Sequence, residues 1–293
     1  MMTCQHTLAV CCCAYLLLAT NSVDYKTSLF AAFDRKYGFK DEGLVHQFLG
    51  VQVEQIADGI RIHQEKYCKE VLERFGFDGA HGSGTPMETN AKFAPNDKQE
   101  DDDPLPFDYR AAIGSLMYLD TYTRPDIAFS VGYLGRFVSS PTKKHCGAVN
   151  RILRYLVKTS NLGIMYSASD EIADKIVISG YCDADWSNDP ETCKSITGHV
   201  MTIAGGAVAC AARRQTITAQ STAEAEYVAA CEAAMEGRGI VNMLDEALHV
   251  VDMKTNLRLG VDDNAAIALA KRPTYSSKTR HIELRWLYFR EQV

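Results

Sequence analysis

Three acidic residues, each in a different local setting, stand in the last third of this 293-residue chain. Asp183 lies in the run Gly180 to Trp186, Glu226 in Ser221 to Tyr227, and Asp263 in Val261 to Ile267. Asp183 and Asp263 each follow a β-type run, and Glu226 sits one turn inside an amphipathic helix. That order suits a carboxylate cage for two divalent cations, which about 4 Å apart clamp the attacking and leaving oxygens of a phosphodiester. Taken singly, each acid is an ordinary turn former or solvated helix residue. Only the set carries the inference.

The elements that must position them are legible. Lys175 to Asp183 reads as a strand ending in acid. Ser195 to Ile203 and Ala207 to Arg213 flank Gly205-Gly206, a hairpin signal. Leu257, Leu259 and Val261 alternate toward Asp262 and Asp263, giving a fourth strand. Between the third and fourth strands the spacing predicts a helix from Thr222 to about Leu248. Ser221 and Glu224 form a capping box at its start, which gives Glu224 a structural task. At 3.6 residues per turn Glu226 lies roughly 60° from the centre of the apolar stripe and Glu224 roughly 100°. Glu226 is therefore the one placed at the sheet margin. Strand direction favours Asp183 over Asp185 as the ligand.

Upstream, Tyr25 to Phe39 reads as a helix. Phe48 to Val53 and Ile60 to Ile62 read as strands around Asp58-Gly59, and Gln64 to Phe75 as a helix. Residues 79–106, with the acidic run Glu100 to Asp103, read as a linker. Residues 107–166 look helical, broken at Arg124-Pro125-Asp126.

A net charge of -6 excludes a generic basic nucleic-acid binder. Charge is uneven, however: from Asn264 to Val293 six Lys or Arg stand against two Glu. Ten cysteines raise the alternative of a secreted disulfide protein. Cys11 to Cys13 are adjacent and none pairs with His at a zinc spacing, so buried free thiols in a reducing, intracellular compartment are expected. Leu8 to Ala19 is apolar but has no preceding Lys or Arg, against a secretory signal, and is short for a membrane span. No membrane partner is expected.

Phe48-Leu49-Gly50, Gln64 to Tyr67, Tyr109-Arg110 with Ile113 to Tyr118, Thr123 to Ile127 and Arg151 to Leu156 resemble the region after the polymerase palm in copia-type LTR retrotransposon Pol polyproteins. The three acidic motifs resemble the ribonuclease H domain of the same family. The resemblance implies an α/β chain, α+β in part. Residues 1–24 are left unassigned, 25–168 form a partial, largely helical reverse-transcriptase thumb or connection region, and 170–293 a ribonuclease H-like mixed sheet with flanking helices. It implies hydrolysis of the RNA strand of an RNA–DNA hybrid with two Mg2+ ions, Mn2+ as substitute, held by Asp183, Glu226 and Asp263. The family's Asp-Asn motif selects Asp263 over Asp262. Arg213, Arg214, Lys271, Arg272, Lys278 and Arg280 are the candidate phosphate contacts, and other parts of such a polyprotein are the candidate protein partners.

Two departures matter. Where the family carries a Tyr-Val-Asp-Asp turn, this chain has Cys12 to Tyr15, so the paired polymerase aspartates are missing there and no polymerase activity is expected. Glu283 stands where the family has Asp and is a further candidate ligand beside His281. The family's fourth carboxylate lies in a downstream Ala-Asp motif, so a C-terminally truncated nuclease domain is expected. A catalytically inactive remnant with nucleic-acid binding alone is the alternative.

Overall fold

The computed structural model describes residues 7–12, 15–20, 22–38, 40–89, 91–94, 104–168, 175–189, 191–248 and 253–271. Strands β1 (Thr7–Cys12) and β2 (Tyr15–Thr20) pair antiparallel, with Cys12 opposite Tyr15. The segment that replaces the paired aspartates thus bridges two paired strands. Helix α1 (Val23–Tyr37) starts at Ser22, whose hydroxyl accepts from the Tyr25 amide at 3.2 Å, and ends at Gly38 with φ 70°. The expected helix ran to Phe39. A left-handed glycine cap stops the observed one two residues sooner, and Phe39 itself lies outside the described residues.

A first sheet has the order β3 (Gln47–Phe48), β4 (Val51–Ile56), β5 (Gly59–His63) and β6 (Gly163–Ser167), all antiparallel. The apolar run 48–53, expected as one strand, is cut by a turn at Leu49 and Gly50, with φ of 47° and 77°. Tyr118 fixes that turn by donating its hydroxyl to the Leu49 carbonyl at 2.9 Å. Residues 163–167, expected helical, are a strand. A short apolar run carries no decisive period, and pairing with β5, from Gly59 opposite Ser167 to His63 opposite Gly163, settles the outcome.

Helices α2 (Glu65–Arg74), α3 (Tyr109–Tyr122), α4 (Ala128–Gly135) and α5 (Lys143–Thr159) pack into one core, with a 3-10 turn at Pro125–Ile127 before α4. Val71, Ala112, Leu116, Leu119, Val131, Leu134, Ile152 and Leu156 are fully buried there. The break expected at Arg124 is an ion-pair network. The buried Arg124 guanidinium donates to both Asp126 oxygens at 2.9 and 2.8 Å, and to the Thr159 carbonyl at 2.9 Å. It thereby satisfies one of the carbonyls that α5 leaves open at its end.

The second sheet has the order β10 (Lys254–Gly260), β7 (Lys175–Asp185), β8 (Ile196–Ile203) and β9 (Gly206–Arg214). β10 runs parallel to β7 and the other pairs are antiparallel. The hairpin turn falls on Ala204 and Gly205, with φ of 51° and 80°, one residue before the expected Gly-Gly. A parallel pair needs a crossover, supplied by α6 (Thr222–Leu248), and α7 (Asn264–Lys271) follows β10. Three strands, helix, strand, helix is the order read from the sequence.

Helix α6 departs from the expected single stripe: every residue from Glu224 to Ala234 is buried. One side packs Ala230, Ala233, Ile240 and Val241 against Ile178, Cys182 and Met201. The other packs Tyr227, Val228 and Cys231 against Ala266 and Ala270 of α7. Small residues permit this double contact. A Cβ added at Gly237 would lie 2.7 Å from Leu257 Cδ1.

The halves are pinned together by a buried acid. Asp189, in the β7–β8 loop, meets Arg136 beyond α4 at 2.6 Å and Arg214 of β9 at 2.7 Å. Burial opposes ionisation, but hydrogen bonds from Thr192, Arg136 and Arg214 outweigh it and lower Asp189 to about 2. The molecule is a mixed α/β protein built on two four-stranded sheets and a short hairpin. No helix among the described residues is long and apolar enough to cross a membrane.

Candidate metal centre

Asp183, near the end of β7, Glu226, in the second turn of α6, and Asp262, just past β10, each offer a carboxylate oxygen within 4.8 Å of the other two. The parallel pairing of β7 and β10 brings the two strand ends side by side, since Gly260 stands opposite Tyr181. The crossover helix then delivers Glu226 between them. Its Oε1 accepts from the Ala184 amide at 3.1 Å, which locks the glutamate to the strand that carries Asp183.

The electrostatics are those of a site short of positive charge. Glu226 is buried, and no donor among the described residues reaches its Oε2. Burial raises its pKa, the Ala184 amide opposes that, and the charges of Asp183 and Asp262 raise it further. Burial, then the charges of Glu226, Asp183 and Asp262, push the Cys182 thiol up to about 12. Asp185 is raised too, by burial and by Asp183. A buried carboxylate oxygen without a donor, beside two exposed carboxylates, fits hard divalent cations, which take oxygen ligands.

Not every residue singled out from the sequence is in this cluster. Asp263 Oδ1 accepts from the Ala266 amide at 2.6 Å, capping α7, and the third carboxylate in the cluster is Asp262. Along β10 and on to Asp263, exposure alternates. Asp262 falls on the exposed parity, and Asp263 shares the half-buried parity of Leu257, Leu259 and Val261. An Asp directly before a helix is a preferred N-cap, and that signal was available in the sequence. Glu224 does have a structural task, but its carboxylate accepts from the Gln220 amide at 2.8 Å rather than from Ser221.

The candidate phosphate contacts also divide. Arg213 pairs with Glu232 at 3.2 Å and Arg214 with Asp189, so both are engaged inside the protein. Lys271 is exposed at the end of α7. Arg272, Lys278, Arg280, His281 and Glu283 lie outside the described residues. Cys68, Cys146 and Cys182 are buried free thiols, whereas Cys193 is exposed.

A family model described as reverse transcriptase (RNA-dependent DNA polymerase) matches residues 13–89. The retrovirus-related Pol polyprotein from transposon TNT 1-94 of Nicotiana tabacum is 36% identical over 266 residues, 88% of this chain and 19% of that protein. The corresponding polyprotein from transposon RE1 of Arabidopsis thaliana is 29% identical over 259 residues, 88% of this chain and 17% of its own length. A shorter relative, secreted RxLR effector protein 161 of Plasmopara viticola, is 39% identical over 128 residues, covering 44% of this chain and 87% of that protein. No solved structure matches. The chain spans less than a fifth of the length of the two Pol polyproteins. Matched across most of its length by such proteins, it belongs to the copia-type retrotransposon Pol polyproteins.

Proposed function

We propose that residues 170–293 form a ribonuclease H-like unit that hydrolyses the RNA strand of an RNA–DNA hybrid with magnesium, joined to a reverse-transcriptase-type region at 25–168. The observation that carries this reading is the convergence of Asp183, Glu226 and Asp262 within 4.8 Å. Two divalent cations, when bound, supply charge stabilisation at the phosphodiester and an activated water. The chain's own part is to hold three carboxylates in place. Asp183 and Asp262 present exposed oxygens, and Glu226 keeps one oxygen on the Ala184 amide and the other toward the cluster's interior. The strand order with β10 parallel beside β7 supports the same reading. Hybrid selection would rest on 2′-hydroxyl contacts in a wide, shallow minor groove. Polymerisation is not part of the proposal, because the β1–β2 connection carries Cys12 to Tyr15 in place of paired aspartates. An intracellular setting is proposed with it, in keeping with the buried thiols.

The experiment is a cleavage assay on a labelled RNA–DNA hybrid with magnesium, then manganese. Slow cleavage that disappears in Asp183→Asn is the expected result. A second reading, nucleic-acid binding without cleavage, is favoured by one observation: the cluster holds three carboxylates, with no fourth among the described residues. Hybrid binding with no cleavage in either metal would establish it. Primer extension by the pure chain would overturn the reading of the β1–β2 connection.

A further inference from the structure

We infer that the groove between the helical half and the second sheet takes one unpaired nucleotide of the strand whose phosphate lies at the Asp183 cluster, an inference that rests on the nuclease reading above. The groove has a volume of about 500 Å³ and is walled by the Pro125–Phe129 segment and floored by β7, β8 and β9. That volume is in the range of sites for small molecules, roughly 300–1,000 Å³. It admits a nucleotide and not a duplex.

The floor is built from small residues in register. Asp183 stands opposite Gly198, which stands opposite Ala212, and Tyr181 opposite Val200, which stands opposite Cys210. A Cβ at Gly198 would meet nothing nearer than the Asp183 carbonyl at 3.9 Å, so the space beside Asp183 is open. Two large rings border it while largely in water: Phe129 is 41% exposed and Tyr181 60%. The wall is held at a fixed distance, since Gly132 of α4 is so close to β9 that a Cβ there would lie 3.1 Å from the Ala212 carbonyl.

Asp183 belongs both to this groove and to the acidic cluster. A strand with a phosphate at the cluster therefore has its next nucleotide at the groove. Exposed aromatic rings over an apolar floor recognise the one feature every base shares, its π-face, and such stacking is tolerant of sequence. The chemistry called for is thus a base, without preference among the four, rather than a second duplex or a charged peptide.

The test compares a blunt RNA–DNA hybrid with one carrying a short single-stranded RNA extension that contains 2-aminopurine, in calcium so that neither is cut. The extended hybrid is expected to bind about tenfold more tightly, as the loss of one stacked base would imply, with quenched 2-aminopurine fluorescence. Phe129→Ala, at an exposed ring, and Gly198→Phe, which fills the groove, should each remove the gain and the quenching while leaving blunt-hybrid binding unchanged. Equal binding of the two hybrids by the wild type, or a gain that survives both variants, overturns the groove assignment. A chain that binds the extension but cuts no hybrid in magnesium or manganese keeps the groove and loses the nuclease reading. Conversely, one that cuts blunt hybrid and gains nothing from the extension loses the groove alone.

Discussion

Asp263 commits one oxygen to the Ala266 amide, while Asp262, one residue earlier, reaches the carboxylates of Asp183 and Glu226. The divergence has a measurable consequence. Asp262→Asn should weaken magnesium affinity about tenfold, because it removes a charged ligand. In Asp263→Asn the cap survives, since Asn is as good a cap as Asp, and affinity should change little. Parallel magnesium titrations decide the matter, and a loss at Asp263 as large as that at Asp262 would mean that its second oxygen turns to the cations when they bind. The sequence placed Asp183 and Glu226 through strand direction and helix angle. It left Asp262 against Asp263 to a resemblance, because a pair of adjacent acids at a strand end can face either way until the following helix claims one of them. Arg124 is the other residue whose task is clear. Arg124→Ala strands a half-buried Asp126 and the Thr159 carbonyl, and should cost about 3–5 kcal/mol in denaturant unfolding.

At the scale of elements, α6 and the turns set what a sequence can reveal. The limits of α6, and the order of strands and helices around it, follow from long periodic runs. Its burial on all sides does not, because an alanine-rich helix looks half-polar until α7 covers its second face. β6 was unreadable for a different reason: its partner β5 lies far earlier in the chain, and no local period marks a strand of five residues. Close packing of α6 on β10 makes Gly237 a sharp probe. Gly237→Ala must displace the Leu257 side chain, only 2.7 Å from the new Cβ. A loss of about 1–3 kcal/mol in equilibrium unfolding is expected from overpacking. An unchanged midpoint would show that Leu257 moves aside freely. The turn at Gly50 makes the same point from the other sheet: φ of 77° and a Cβ position 2.2 Å from Tyr118 Oη leave room for glycine alone.

The whole molecule is held across its two halves by Asp189 between Arg136 and Arg214. Nothing in the sequence marked that acid, which reads as one more loop residue; only the approach of α4 to β9 gives it two arginines. Its folded pKa of about 2 lies below the ordinary 3.8, so the stabilisation is present above pH 3.8 and is lost as pH falls toward 2. The difference corresponds to about 2 kcal/mol. Acid unfolding followed by circular dichroism should show this loss in the wild type and not in Asp189→Asn, which is already destabilised at neutral pH by two unpaired arginines. Arg213 and Arg214, read from the sequence as phosphate contacts, are occupied in holding this architecture, and the charge left for a nucleic acid is correspondingly smaller. The central claim remains that Asp183, Glu226 and Asp262 act together as one cation site. Calorimetric titration of the folded chain with manganese tests it most directly. The wild type should bind the cation, and Glu226→Gln, which keeps the Ala184 hydrogen bond but loses the buried charge, should bind at least tenfold more weakly. Equal manganese binding by wild type and Glu226→Gln would contradict the account.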